Sequence, residues 1–196
     1  MLEEKREKIR QIENKTGEIF SKFLEPNQYT LCSLLFALLC LFSLRNLNLV
    51  LGLIFFSLAA LLDFVDGAVA RKTKKATKKG AYLDTICDRY VEGIIFFGFL
   101  FLPWPKIIFP AHFWIFLAFF GSLMTTYAKA AAKEKEIIQE ELRKGFIGRG
   151  ERMILLFLVF FFGIFNLSLA FYFLITLAIL TNLTALQRFS LVLKKV

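Results

Sequence analysis

Histidine and cysteine are scarce in this chain: one His and three Cys in 196 residues. Cys32, Cys40 and Cys87 fall singly in apolar or membrane-edge positions. Cysteine there acts as a small buried hydrophobe, so neither a disulfide framework nor a zinc site is expected. His112 stands alone and reads as an interfacial side chain, not a catalytic one. Aspartate is scarce too, and its placing is unusual. All four, Asp63, Asp66, Asp84 and Asp88, lie within 26 residues. No acid of either kind occurs in 93–133 or 152–196, and no repeat of fixed period is evident. The charged N-terminus lacks the short apolar core and cleavage site of a secretory signal, so no signal peptide is expected.

Apolar residues fill the chain instead. They make up 57% of it, 25 of them are Phe, and the mean hydropathy is +0.60. Uncharged runs cover 26–44, 46–62, 93–105, 107–128 and 153–187. A soluble domain of this length is not so apolar, and a spanning helix takes roughly 20 apolar residues. The expected class is an all-α integral membrane protein. Lys and Arg are distributed by side: six in 1–25, six in 71–79, seven in 129–152 and three in 188–196. Arg45 and Lys106 lie in the alternate loops, and Arg89 lies within a span. The positive-inside rule then places both termini and the two long polar loops in the cytoplasm of a multi-pass cell-membrane protein. The net charge of +9 follows from this bias. It should attract anionic membrane lipids and phosphorylated substrates. Nucleic acid is not an expected partner, because the basic residues interrupt apolar spans instead of forming a soluble face.

Residues 1–24 read as an amphipathic helix along the interface, with Ile9, Ile12, Ile19, Phe20 and Phe23 at helical spacing among Lys and Glu. Pro26 ends it. Six spans follow, at about 28–45, 48–70, 80–101, 107–129, 149–166 and 169–189. The 35-residue run 153–187 is too long for one span and slightly short for two, so the fifth must begin among its charges at Glu151 and Arg152. The third span likewise takes Asp84, Asp88 and Glu92 inside its helix. The expected organisation is a juxtamembrane helix over 1–25 and one six-span domain over 26–196.

The acids carry the chemistry. Ionisable groups at membrane depth are costly and mark functional sites. Asp63 and Asp66 are three apart and Asp84 and Asp88 four apart, which puts each pair on one helix face. The basic loop 71–79 lets spans 2 and 3 pack as a hairpin with the pairs facing each other. Clustered carboxylates suit hard, oxygen-seeking cations such as Mg²⁺ or Mn²⁺. A pair of such ions would clamp a pyrophosphate. Gly67, Ala68, Ala70 and Gly80 are small enough for close helix approach or for a flat base, and Arg71 suits a phosphate. The alternative is an ion-pair network in which Arg71 and Arg89 neutralise two of the acids.

The same residues satisfy every position of D-x2-D-G-x2-A-R-x8-G-x3-D-x3-D, from Asp63 through Gly67, Ala70, Arg71 and Gly80 to Asp88. In this the chain resembles the CDP-alcohol phosphatidyltransferase family. The resemblance implies a homodimeric enzyme with two Mg²⁺ or Mn²⁺ ions. Its CDP-lipid donor yields a phosphatidyl- or archaetidyl-type group to an alcohol, and CMP leaves. Asp63, Asp66 and Asp84 match metal ligands, and Asp88 matches a metal ligand that is also the general base. Gly67, Ala70, Arg71, Thr77 and Gly80 match the nucleotide-diphosphate site. Pro26, Asn27 and Gln28 match a nucleotide-contacting segment, although Glu25 stands where Thr is common.

Lys129, Arg149 and Arg152 suggest an acceptor that itself carries phosphate, although positive-inside bias alone also places cations here. Residues 145–152 resemble the inositol-phosphate branch of the family, as does the pair Asp88-Arg89. Gly148 and Ala131 depart from that branch, where an acid and a base are usual. Glycerol phosphate and serine remain alternative acceptors. The pair Gly148-Arg149 also resembles synthases that use CDP-inositol as donor. A divalent-cation transporter is the rival from another class.

Overall fold

The computed structural model describes residues 2–138 and 145–194. Among these it is all-helical: α1 Leu2–Phe20, α2 Pro26–Arg45, α3 Leu49–Lys72, α4 Lys78–Phe99, α5 Ala111–Glu134, α6 Arg149–Phe165 and α7 Leu167–Leu193. Arg143 and Lys144, counted above among the loop cations, lie outside the described residues, as do Lys195 and the side chain of Ile9. Four helices, α2, α3, α5 and α7, are long and apolar enough to cross a membrane. Of the other two expected spans, α4 carries Asp84, Asp88, Arg89 and Glu92, and α6 has 17 residues. The protein is an all-α, multi-pass membrane protein.

Each helix starts or stops for a local reason. α1 ends at Phe20, four residues earlier than its apolar pattern suggests, and a short turn leads to Pro26. Proline disfavours a helical residue before it and suits the first helical position. Glu25 caps α2: its N–H donates to Gln28 Oε1 at 2.8 Å and its carbonyl accepts from Gln28 N at 3.0 Å. α2, α3 and α5 close through left-handed residues, Leu47, Lys74 and Glu136, with φ of 57°, 56° and 55°. In each case the next N–H bonds back five residues, as Lys75 N does to Ala70 O at 3.1 Å. α5 starts at Ala111, not 107, because Pro110 caps it in an extended conformation. Asn166 serves two helices. It ends α6, and its side chain accepts from Ser168 N and Leu169 N at 2.8 and 3.1 Å to start α7.

The chain forms two compact units. The first holds the chain through Phe42 with Ile54–Ile95, and the second holds Ser43–Leu53 with the chain from Phe96 onward. In the first, Tyr29, Val65 and Val69 form a buried cluster with Phe20 and Leu62 packed against it. Tyr29 also donates to Phe20 O at 2.8 Å. Gly17 is the contact point of α1 on α3: an added Cβ would lie 2.6 Å from Ala68 O. Ile12, Ile19 and Phe23 remain exposed. In the second unit α7 packs on both α5 and α6. Phe99 is central there, with ring neighbours Phe160 at 5.1 Å and Trp104 at 5.8 Å.

Candidate active site

The first unit gathers three of the four aspartates. One carboxylate oxygen from each of Asp63, Asp66 and Asp84 lies within 4.8 Å of the others. The i,i+3 spacing on α3 puts Asp63 and Asp66 on one face, and α4 supplies Asp84 from the facing side. Three carboxylates this close repel one another unless a cation lies between them, and an all-oxygen donor set suits a hard divalent ion. Asp66 is 6% exposed and accepts a 2.7 Å hydrogen bond from Thr30 Oγ1 on α2. Asp88, one turn beyond Asp84, is outside the three-carboxylate group. It is buried, and its Oδ2 lies 3.7 Å from Arg89 Nη2. Arg89 in turn donates to the buried Glu92 at 3.3 Å.

A cavity of about 170 Å³ opens beside the cluster. Pro26, Asn27, Asp66, Gly67, Ala70, Arg71, Thr77, Gly80 and Asp84 line it, all of them singled out from sequence. Thr30, Lys75, Ala76 and Ala81 complete the wall. Gln28 does not line it, because its side chain is turned to Glu25 N. Two glycines keep the wall thin. A Cβ on Gly80 would stand 3.1 Å from Asn27 Oδ1, and one on Gly67 would stand 3.3 Å from Arg71 Nη1. Thr77 has a structural role as well: its Oγ1 accepts from Gly80 N at 3.0 Å, which starts α4. Lys75 meets Glu25 at 2.8 Å. Its hydrogen bond and its charge hold the Glu25 carboxyl below the ordinary range.

The second unit gathers cations. Arg152 is 3% exposed and donates from Nη1 to Thr125 Oγ1 at 2.7 Å. Arg188, 8% exposed on α7, donates from Nη1 to Thr125 O at 2.6 Å. Two buried guanidiniums thus converge on one residue of α5. Lys129 lies one turn beyond Thr125 on the same helix face, and Arg149 opens α6. Glu151, between the two arginines, accepts from Gly148 N at 2.9 Å and so caps α6. The segment before α6 rests on α7: Ile147 N donates to Thr184 Oγ1 at 3.1 Å. A Cβ on Gly145 would lie 2.7 Å from Thr184 Cγ2. Sequence reasoning passed over Arg188 because it opens a basic C-terminal stretch that positive-inside bias explains. Its signal was its place, directly after an uncharged run of 35 residues.

The model of the CDP-alcohol phosphatidyltransferase family matches residues 23–186. The chain belongs to that family. An archaetidylinositol phosphate synthase of Pyrococcus horikoshii is 31% identical over 192 residues, 96% of this chain and 94% of the relative. A bifunctional IPC transferase and DIPP synthase of Aquifex aeolicus is 34% identical over 179 residues, 87% of this chain but 39% of the relative. A phosphatidylinositol phosphate synthase of Mycobacterium tuberculosis shares the fold at 24% identity. With CDP-DAG bound its TM-score is 0.78, covering 93% of this chain and 94% of that one. In complex with manganese and citrate the score is 0.80, with coverage of 92% and 88%. This CDP-alcohol phosphatidyltransferase is therefore an enzyme, and the transporter reading is set aside.

Proposed function

We propose that this phosphatidyltransferase moves a phosphatidyl- or archaetidyl-type group from a CDP-lipid to a hydroxyl of inositol phosphate, with release of CMP. The observation that carries the reading is the three-carboxylate cluster opening onto a cavity lined by Gly67, Arg71 and Thr77. That is the chemistry a nucleoside diphosphate needs: metal ligands beside a thin wall and cationic donors. In this reading Asp63, Asp66, Asp84 and Asp88 would hold two Mg²⁺ or Mn²⁺ ions, whose charge would neutralise the diphosphate and polarise the phosphorus. Pro26, Asn27, Gln28, Gly67, Ala70, Arg71, Thr77 and Gly80 receive the CDP moiety. Asp88 takes the proton from the attacking hydroxyl. The new P–O bond forms at the lipid-side phosphorus, the bond to CMP breaks, and CMP carries away the charge. Positioning and charge neutralisation supply most of such a rate enhancement.

The acceptor's phosphate is assigned to Lys129, Arg149 and Arg152, and we add Arg188, whose guanidinium meets that of Arg152 at Thr125. Arg149→Ala with Arg152→Ala should raise KM for inositol phosphate at least tenfold more than KM for the CDP-lipid, about the weight of one or two charge-assisted hydrogen bonds. Equal losses for both substrates in the steady-state assay would reject the assignment. The same reading makes α2 to α7 six spans, with α1 (within 1–25) on the interface and 26–196 as one domain. The termini and site face the cytoplasm, and the enzyme works as a homodimer. The similarity to the bifunctional Aquifex aeolicus relative supports a second reading, in which CDP-inositol is the donor.

A further inference from the structure

Among the described residues two cationic side chains line the cavity beside the aspartates, Arg71 and Lys75. Each is paired with a carboxylate that does not line it, and both carboxylates come from the N-terminal segment. Arg71 Nη2 lies 3.1 Å from Glu13 Oε1, and Lys75 Nζ lies 2.8 Å from Glu25 Oε1. The pairs are not equivalent. Glu25 and Lys75 are both well exposed, at 67% and 59%; Arg71 is as exposed as Lys75, at 57%, but the Glu13 side chain is only 30% exposed. Glu13 also rides on a helix with a fixed seat. Gly17, one turn on, brings α1 against the backbone of Ala68, and Glu18 meets Lys72 at 3.3 Å. The Arg71 guanidinium is folded back over Gly67, where an added Cβ would lie 3.3 and 3.5 Å from its two terminal nitrogens. A guanidinium presents its donors in a rigid fork. Anchoring one edge on Glu13 therefore fixes the direction of the other N–H groups at the cavity wall.

We propose that Glu13 is a positioning residue for donor binding, holding the Arg71 guanidinium over Gly67 in readiness for the diphosphate of the CDP-lipid. The proposal rests on the reading of this cavity as the diphosphate site. It makes α1 part of the active-site machinery although none of its described side chains lines the cavity. Arginine carries substantial rotamer entropy, and a side chain already ordered costs less to order on binding. Glu13 pairs with Nη2 and leaves Nη1 to a phosphate, so the acid need not leave when one arrives.

The test is a titration of CDP-diacylglycerol into the detergent-solubilised full chain with Mn²⁺ and no acceptor. It compares the unsubstituted protein, Glu13→Ala, Glu13→Gln, Arg71→Ala and the double variant Glu13→Ala/Arg71→Ala, with Tm recorded for each. Glu13→Ala should weaken binding about three- to fivefold, the size one part-exposed ion pair permits. Glu13→Gln, which keeps an oxygen that can accept from the guanidinium, should recover most of that. In the Arg71→Ala background, Glu13→Ala should add nothing, because the two act as one unit. Losses that multiply in the double variant would overturn the proposal, as would unchanged or tighter binding in Glu13→Ala. Those outcomes leave the diphosphate site standing as long as Arg71→Ala itself binds weakly. Full affinity in Arg71→Ala would remove the diphosphate site and the proposal together.

Discussion

In the proposed mechanism Asp88 and Thr30 have separate roles around the aspartate cluster. Asp88 stands outside the three-carboxylate group, one turn beyond Asp84, and the proposed mechanism makes it the general base. Asp88→Asn, whose amide oxygen can still ligate, should weaken Mn²⁺ binding only modestly and keep CDP-lipid binding, while CMP release falls by about 10²- to 10⁴-fold, the usual weight of a general base. Full turnover in that variant would reject the role. Thr30 acts through Asp66. Its hydroxyl is the 2.7 Å donor to a nearly buried carboxylate, and such partners orient metal ligands. Thr30→Val should weaken Mn²⁺ affinity about tenfold, with Thr30→Ser restoring it, as read by manganese titration followed by electron paramagnetic resonance. The aspartates were legible because their i,i+3 and i,i+4 spacing is local and the rest of the chain has no Asp. Thr30 was not, because its partner is 36 residues away and only the folded hairpin brings them together. Arg188 and Glu13 were hidden for the same reason: each meets its partner through helix packing.

At the scale of elements, hydropathy located α2, α3, α5 and α7 because apolar runs of span length have few other uses, while α1 was read from its amphipathic pattern and α4 only by carrying a helix through its acids. The ends were less readable. Leu47, Lys74 and Glu136 close three helices in the left-handed region, where glycine or asparagine is the usual signal. A non-glycine residue there costs about 1–2 kcal/mol, which the backbone bonds of the turn offset, and nothing in the side chains announces it. The early end of α1 has the same character. Its seat on α3 is set by Gly17, which pattern reading passes over. Gly17→Leu would put a side chain where even a Cβ falls 2.6 Å from Ala68 O. It should displace α1, raising hydrogen exchange across residues 11–20 while α5 to α7 keep their protection. Unchanged exchange in α1 would contradict the packing described here.

For the molecule as a whole, the sequence features divide by unit. The aspartates and the cavity beside them belong to the first unit, and Lys129, Arg149, Arg152 and Arg188 belong to the second. The family motif made the first legible down to single residues, since metal and diphosphate chemistry constrains spacing tightly. The second was legible as an excess of positive charge and in the resemblance of residues 145–152 to one branch of the family, but not residue by residue, because a phosphate can be held by cations from any helix. The account therefore stands or falls on the acceptor. The most direct measurement is CMP release by purified protein in lipid with Mg²⁺ and a CDP-lipid, offering inositol phosphate, inositol, glycerol phosphate and serine separately. The account predicts release with inositol phosphate and background with the other three. Release with glycerol phosphate or serine, and none with inositol phosphate, would contradict it.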